Sequence, residues 1–315
     1  MTITHRTVET NGLSMHIAEA GEGPLVLLLH GFPESWYSYR HQLEALAAAG
    51  YHAVAPDQRG YGGTDAPEEI DRYTLLHLVG DQVGLLSSLG EASCVVVGHD
   101  WGSPVASHFG VLRPDLVRGV ALLSVPHAPR GDVDTLTALT RRLGPDNYQV
   151  RFQAPGVAEA AMEADLHGTL LRSLYGLSGD APLVKDPGLS EAPAAPEGPL
   201  PAWLTEEDVD YFVSQFERSG LRGPLNWYRN SVANWELLAA WHNVALRQPS
   251  LFIGGDRDIV HRWFGISDLF DVLRAYSMPG LTKAVVLEGC GHWTQQERSD
   301  EVNTLLLEFL DGLPH

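Results

Sequence analysis

One five-residue stretch limits this chain more than any other. Gly98-His99-Asp100-Trp101-Gly102 closes the apolar run Cys94-Val95-Val96-Val97. Glycines flanking a polar residue at this spacing let a strand turn sharply into a helix and hold the middle side chain at the apex, the arrangement called a nucleophile elbow. The apex here is a carboxylate. The helix that starts behind Asp100 points its N-terminus at that carboxylate and favours the ionised, attacking form. A carboxylate nucleophile displaces a leaving group at an alkyl carbon and leaves an ester on the protein.

The flanking sequence supplies the sheet that such an elbow needs. Leu25-Val-Leu-Leu-Leu29 is a continuous apolar run, as expected of a strand buried on both faces. A helical stretch from Ser35 to Ala49 stops at Gly50, and His52-Ala-Val-Ala-Pro56 follows as the next strand. A helix is expected from Leu75 to Leu89, and the helix after the elbow carries Pro104 in its first turn and halts at Arg113-Pro114. Val120 to Ser124 reads as a further strand. The alternation predicts an α/β protein with a parallel sheet covered by helices. From about His127 to Trp241 the strand signal lapses. This segment reads as an inserted helical lid, with a Pro/Ala-rich excursion from Ala181 to Trp203 expected to be a mobile surface loop. Strands resume at Ser250–Gly254 and Ala284–Leu287, and a last helix is expected with Ser299 as its N-cap. The core is therefore assigned to residues 1–127 and 242–315, and the lid to 128–241.

Composition narrows the chemistry less. The chain has 315 residues, and 21 Lys+Arg against 40 Asp+Glu give a formal charge of -19, a surface that repels phosphate backbones and excludes nucleic acid as a partner. The N-terminal residues lack the apolar run of a signal peptide, and no apolar stretch is long enough to cross a bilayer, so a cytoplasmic protein with no membrane partner is expected. Cys94 and Cys290, both in strand-like segments, read as buried free thiols. Neither a His-Glu-x-x-His run nor zinc-like Cys/His spacing is present, so no metal and no cofactor is expected.

In a parallel sheet, ligands bind at the carboxyl ends of the strands. His30, Asp100, Asp256, Asp258 and His292 all follow strand-like runs. His292, in Gly289-Cys-Gly-His-Trp293, is suited to take a proton from water near neutral pH, and the order nucleophile, acid, histidine completes a triad. Asp256 and Asp258 compete as the acid that orients it. Hydrolysis of an aspartyl ester passes through an oxyanion, and the backbone N–H groups of Phe32 and Trp101 are placed by the pattern to hold it. A cis bond before Pro33 would aim the Phe32 amide. His30 is read as structural, bonding its loop together. Trp36 and Trp101 are candidates for the pocket wall.

These residues resemble the epoxide hydrolases of the α/β-hydrolase superfamily, closest to the hydrolase domain of the soluble enzymes and without their phosphatase domain. The matches are His30-Gly-Phe-Pro-Glu-Ser-Trp-Tyr-Ser38, Gly98-His-Asp-Trp-Gly102, Tyr148-Gln-Val-Arg-Phe-Gln-Ala-Pro-Gly156, Gly223-Pro-Leu-Asn-Trp-Tyr-Arg-Asn230 and Gly291-His-Trp-Thr-Gln295. The resemblance implies a mostly parallel eight-stranded sheet with helices on both faces. It also implies conversion of an epoxide and water to a vicinal diol through a covalent hydroxyalkyl-aspartyl ester. Asp258 is the acid that matches. Tyr148 and Tyr228 match the lid tyrosines that donate to the epoxide oxygen, and Leu225, Tyr228, Val232 and Trp235 share one expected helical face. Trp36, Phe152 and Trp293 are expected in the substrate pocket. The partner implied is a small-molecule epoxide, and the assembly a monomer or homodimer. A haloalkane dehalogenase shares the Asp-Trp elbow but uses N–H donors for its halide, and the paired tyrosines and Phe32 argue against it. A catalytically silent ligand-binding hydrolase fold is disfavoured by the complete triad.

Overall fold

The computed structural model describes residues 2–186, 188–189, 192–260 and 269–314. Pro187, Ser190 and Glu191 of the Pro/Ala-rich excursion lie outside the described residues. Eight strands form one sheet in the order β1-β2-β4-β3-β5-β6-β7-β8. They are β1 (Thr4–Thr10), β2 (Leu13–Ala20), β3 (Leu25–Leu29), β4 (His52–Pro56), β5 (Cys94–His99), β6 (Val117–Leu123), β7 (Ser250–Gly255) and β8 (Leu281–Leu287). β1 and β2 pair antiparallel, as do β2 and β4, and every other pair is parallel. The β1–β2 hairpin turns at Asn11-Gly12, both at positive φ, a short-range hairpin signal present in the sequence.

The sheet separates two apolar layers because alternate side chains of a strand face opposite ways. Leu25, Leu27 and Leu29 join Val96 and Phe109 on one side, while Val26 and Leu28 join Leu43, Val95, Val97 and Leu306 on the other. All five residues of β3 are buried, each such leucine or valine contributing about 1.5–3 kcal/mol. Helices α1 (Arg40–Ala48) and Ser299–Asp311 cover the second side, and α2 (Leu75–Leu89) and α3 (Gly102–Leu112) the first. Thr74 caps the start of α2, and Gly90 ends it in the left-handed conformation. Ser299 lies inside the last helix and Arg298 occupies the cap position without a side-chain bond, which corrects the expected cap. The short helix Thr294–Glu297 runs almost directly into this one.

Between β6 and β7 the chain passes through α4 (Thr135–Leu143), α5 (Tyr148–Arg151), α6 (Val157–Glu163), α7 (Leu166–Gly176), α8 (Glu206–Ser219), α9 (Arg222–Arg229) and α10 (Ser231–Leu237). The two stems of this cap meet at an isolated bridge between Arg130 and His242. Its apolar residues Leu170, Phe212, Leu225 and Trp227 merge with the core layer on the α2–α3 side. The single helical face expected around Tyr228 is broken. Asn230 separates α9 from α10 and donates through Nδ2 to Ile70 O (2.6 Å) and Asn226 O (2.8 Å), so Leu225 and Tyr228 are buried while Val232 is exposed. No helix among the described residues is long and apolar enough to cross a membrane.

Candidate active site

The parallel register brings the carboxyl ends of five strands to one edge. Leu29 pairs with Gly98, His99 with Leu123, Leu123 with Ile253 and Gly255 with Leu287. The elbow is tight enough that a Cβ on Gly102 would collide with the carbonyl oxygen of Leu29, and one on Gly98 with that of Gly102. Asp100 sits at φ 48°, in the left-handed region where a non-glycine residue marks a functional turn. Ser103 locks the turn, donating to Gly98 O (2.7 Å) and Leu123 O (3.1 Å).

The two Asp100 oxygens have different surroundings. Oδ1 accepts from the Phe32 amide (2.8 Å), and Oδ2 lies 3.5 Å from His292 Nε2. The Phe32-Pro33 bond is cis. On the far side of the imidazole, His292 Nδ1 is 3.1 Å from Asp258 Oδ1. Asp256 turns the other way and accepts from the Gly289 amide (2.8 Å). Burial pushes the Asp258 carboxyl up, but His292, Ser124 and the Val260 amide outweigh it and hold the group below its usual range. Burial pulls His292 down, and Asp258 and Asp100 together overcome this and raise it well above an ordinary histidine.

Ser124, at the end of β6, joins this group although its sequence position offered no carboxylate. Its hydroxyl donates to Asp258 Oδ2 (2.5 Å) and lies 2.9 Å from His292 Nδ1. Losing one hydrogen bond to a buried charge costs on the order of 1.5–3 kcal/mol. Ser124→Ala is therefore expected to slow the histidine-dependent step about 10- to 100-fold and leave attack by Asp100 unchanged. Rapid-quench rates for the two steps check this, and equal slowing of both would contradict it.

Glu34 is a second residue that the sequence did not single out. Buried among polar groups, it accepts from the Gly31 amide (3.0 Å), contacts His99 Nδ1 (2.7 Å) and accepts from Gln295 (2.9 Å) and Gln296 (3.1 Å). His99 Nε2 in turn contacts the carbonyl of His292 (2.7 Å). Glu297 holds the histidine loop from the other end. Its carboxylate accepts from the amides of Gly291 (2.8 Å), Trp293 (2.9 Å) and Gly179 of the cap (2.8 Å), and the His292 amide donates to Leu177 O (2.9 Å).

The Asp100 carboxylate opens onto a cavity of about 400 Å³ lined by Phe32, Pro33, Tyr148, Phe152, Tyr228 and His292. Its outer wall comes from α6, α7 and the Pro/Ala-rich excursion, which contributes Leu189, Ala192 and Pro193. A larger open cleft of about 700 Å³, with Arg40, Trp203 and Glu297 in its wall, contains none of these reactive groups. Tyr148 and Tyr228 stand edge-on with ring centroids 5.9 Å apart. Burial first, and then the nearby Asp100 charge, raises the Tyr148 phenol; burial, Tyr148 and Asp100 do the same for Tyr228. Both are neutral donors at neutral pH.

Two expected pocket residues lie elsewhere. Trp36 is buried beneath Tyr211, donating to its hydroxyl (2.9 Å), and its amide donates to Asp57 (3.0 Å). Trp293 is fully buried and donates to Leu174 O (2.7 Å), with its ring edge-on to His292 at 4.7 Å. Both satisfy their indole N–H inside the protein, as buried tryptophans do. Trp101 is only partly buried and stands edge-on to Tyr228 at 5.1 Å. His30 contacts Gly31 O (2.9 Å) in its own loop and accepts from the Gln58 amide (3.0 Å) in the loop after β4. Cys94 lies in β5, whereas Cys290 lies past β8 and outside any strand; both are buried and free. Among the described residues no group of three or more His, Cys, Asp or Glu side chains is placed to hold a metal ion.

Residues 24–299 match the family described as alpha/beta hydrolase fold. The chain is 43% identical to Epoxide hydrolase 1 of Siraitia grosvenorii, with 98% of each covered. It is also 43% identical to Epoxide hydrolase A of Mycobacterium tuberculosis, again with 98% of each covered. Among solved structures, an epoxide hydrolase from an endophytic Streptomyces superposes with a TM-score of 0.91 at 51% identity, covering 98% of this chain and 96% of that one.

Proposed function

Because the chain belongs to the epoxide hydrolases of the α/β-hydrolase fold, we propose that it opens its substrate in two steps through a covalent ester on Asp100. The observation that carries this reading is the difference between the Asp100 oxygens, Oδ1 on the Phe32 amide and Oδ2 beside His292, on a residue that lines the cavity. In the first step Oδ2 attacks an epoxide carbon and the C–O bond of the ring breaks. Tyr148 and Tyr228 donate to the departing oxygen, because an alkoxide needs acid assistance to leave near neutral pH. Phe152, edge-on to Phe32 and Tyr228, closes the apolar wall beside the reacting carbon.

In the second step water attacks the Asp100 carbonyl carbon. His292, aligned by Asp258 and Ser124, takes its proton, and the negative charge develops on Oδ1, held by the Phe32 and Trp101 amides. The tetrahedral intermediate then collapses with the bond from the Asp100 carbonyl carbon to Oδ2 broken, and the proton that His292 took from water passes to that oxygen as the diol leaves. The charges time these steps. Asp100 and Asp258 hold the proton on His292 in the free enzyme, and esterification removes the Asp100 charge. The imidazole then gives up its proton more readily, which replaces the one passed through the phenols to the ring oxygen and leaves a base for the second step.

A single turnover in heavy-oxygen water tests the covalent step. The first diol released is expected to be unlabelled and the label to reside in Asp100, read by peptide mass. Direct water attack on the epoxide would instead label the first diol and overturn the reading.

A further inference from the structure

We propose that Gln149 sets the direction of the hydrogen bond made by Tyr148, and so acts as a positioning residue for ring opening. This rests on the reading of Tyr148 as an acid. A phenol has one proton to give and an oxygen that also accepts. Where a neighbour accepts that proton in the resting site, the bond must be broken before the phenol can serve the substrate. Where a neighbour donates to the oxygen instead, the phenol keeps its proton available, and the incoming N–H stabilises the charge that builds on the oxygen as the proton shifts toward substrate.

Gln149 meets Tyr148 in the second way. Gln149 Nε2 donates to Tyr148 Oη at 3.1 Å. Gln149 is buried, so no bulk water substitutes for this bond. Its backbone is held at both ends. Its amide donates to Asn147 Oδ1 (3.1 Å), the N-cap of α5, and its carbonyl accepts from Gln153 Nε2 (2.9 Å). Gln153 Nε2 also reaches Tyr228 O (3.2 Å), which ties the helix bearing one phenol to the helix bearing the other. The second phenol stands edge-on to the Trp101 ring, with centroids 5.1 Å apart.

An isosteric change tests the direction of the bond. Gln149→Glu puts a pure acceptor where the donor stood, so Tyr148 turns its proton toward residue 149 and away from the epoxide. The measurement is the rate of alkylation by intact mass, in a His292→Gln parent that cannot hydrolyse the ester. The substrate is whichever of a panel of aryl, alkyl and fatty-acyl epoxides the unmodified enzyme turns over fastest. At pH 8, Q149E is expected to slow alkylation about 10- to 100-fold, approaching the effect of Tyr148→Phe. Relative to the parent, the rate should recover as pH falls and the new carboxyl gains a proton that it can donate. Asp100, Asp258 and Tyr228 face the same pair, and the parent shares all of them, so the ratio isolates position 149.

Gln149→Met, of similar length with no donor, is expected to slow alkylation less, by about 3- to 10-fold and without pH recovery. It keeps the test decisive if the carboxylate variant does not fold. Alkylation in Q149E within twofold of the parent, slowing that does not change with pH, or a Q149M rate equal to the parent would each overturn the assignment. If Tyr148→Phe itself is within twofold of the parent, the acid role of Tyr148 fails instead.

Discussion

His292→Gln is expected to convert the enzyme into a stable alkyl-enzyme, with the protein gaining the mass of one epoxide and turnover falling by about 10³- to 10⁴-fold or more. Glutamine can occupy the gap between Asp258 and Asp100 and form hydrogen bonds there, but it cannot take a proton from water. The loop is held chiefly by main-chain contacts. The amide of residue 292 donates to Leu177 O, its carbonyl receives His99, and Glu297 secures Gly291 and Trp293 on either side. None of these needs the imidazole, so the fold is expected to persist and the loss to fall on one step. Intact mass after brief exposure to a good epoxide gives the answer. A variant that binds and consumes epoxide with no mass increase would mean that no ester forms, or that something other than His292 hydrolyses it.

Tyr148→Phe combined with Tyr228→Phe carries the second large effect. Each single variant leaves one phenol facing the ring oxygen, and loss of one donor to a developing oxyanion is expected to slow alkylation about 10²-fold. Without either, the alkoxide must form in an apolar cavity beside the Asp100 charge, and alkylation is expected to fall by about 10³-fold or more. Phenylalanine preserves the edge-on packing among Tyr148, Phe152 and Tyr228, so the cavity retains its shape. Hydrolysis of ester already formed should be nearly unchanged, since that step relies on His292 and the Phe32 and Trp101 amides. Rapid-quench measurement of both steps separates the two. A double variant that alkylates within tenfold of the unmodified enzyme would remove the phenols from ring opening.

The sheet could be read from the sequence wherever burial on both faces made strands continuously apolar, as in Leu25–Leu29 and His52–Pro56, and wherever Gly90 or Gly50 marked an end. Asp100 was legible because its backbone turn requires glycines on both sides. Asp258 needed the family pattern, since nothing local to Asp256-Arg257-Asp258 says which carboxylate turns inward; the difference is that Asp256 bonds the Gly289 amide and Asp258 reaches His292. Ser124 and Glu34 were not legible because each acts through residues far away in the chain, and a serine after a strand or a glutamate after Pro33 carries no local signature. Trp36 and Trp293 read as pocket walls because an aromatic near a motif looks the same whether it lines a cavity or packs behind it. The pocket contribution of Leu189, Ala192 and Pro193 comes from an irregular segment with no periodicity to reveal its inward face.

The contacts around Glu297 set a mechanical limit on the cap. Leu177 and Gly179 lie between β6 and β7, while His292 and Glu297 follow β8, and two hydrogen bonds join them directly, the His292 amide to Leu177 O and the Gly179 amide to the Glu297 carboxylate. Lifting this side of the cap breaks both and withdraws support from the loop that carries the base. The opposite rim is built from α6 with Leu189, Ala192 and Pro193. One margin of the cap is therefore coupled to His292: displacing Leu177 and Gly179 disturbs the loop that carries the imidazole.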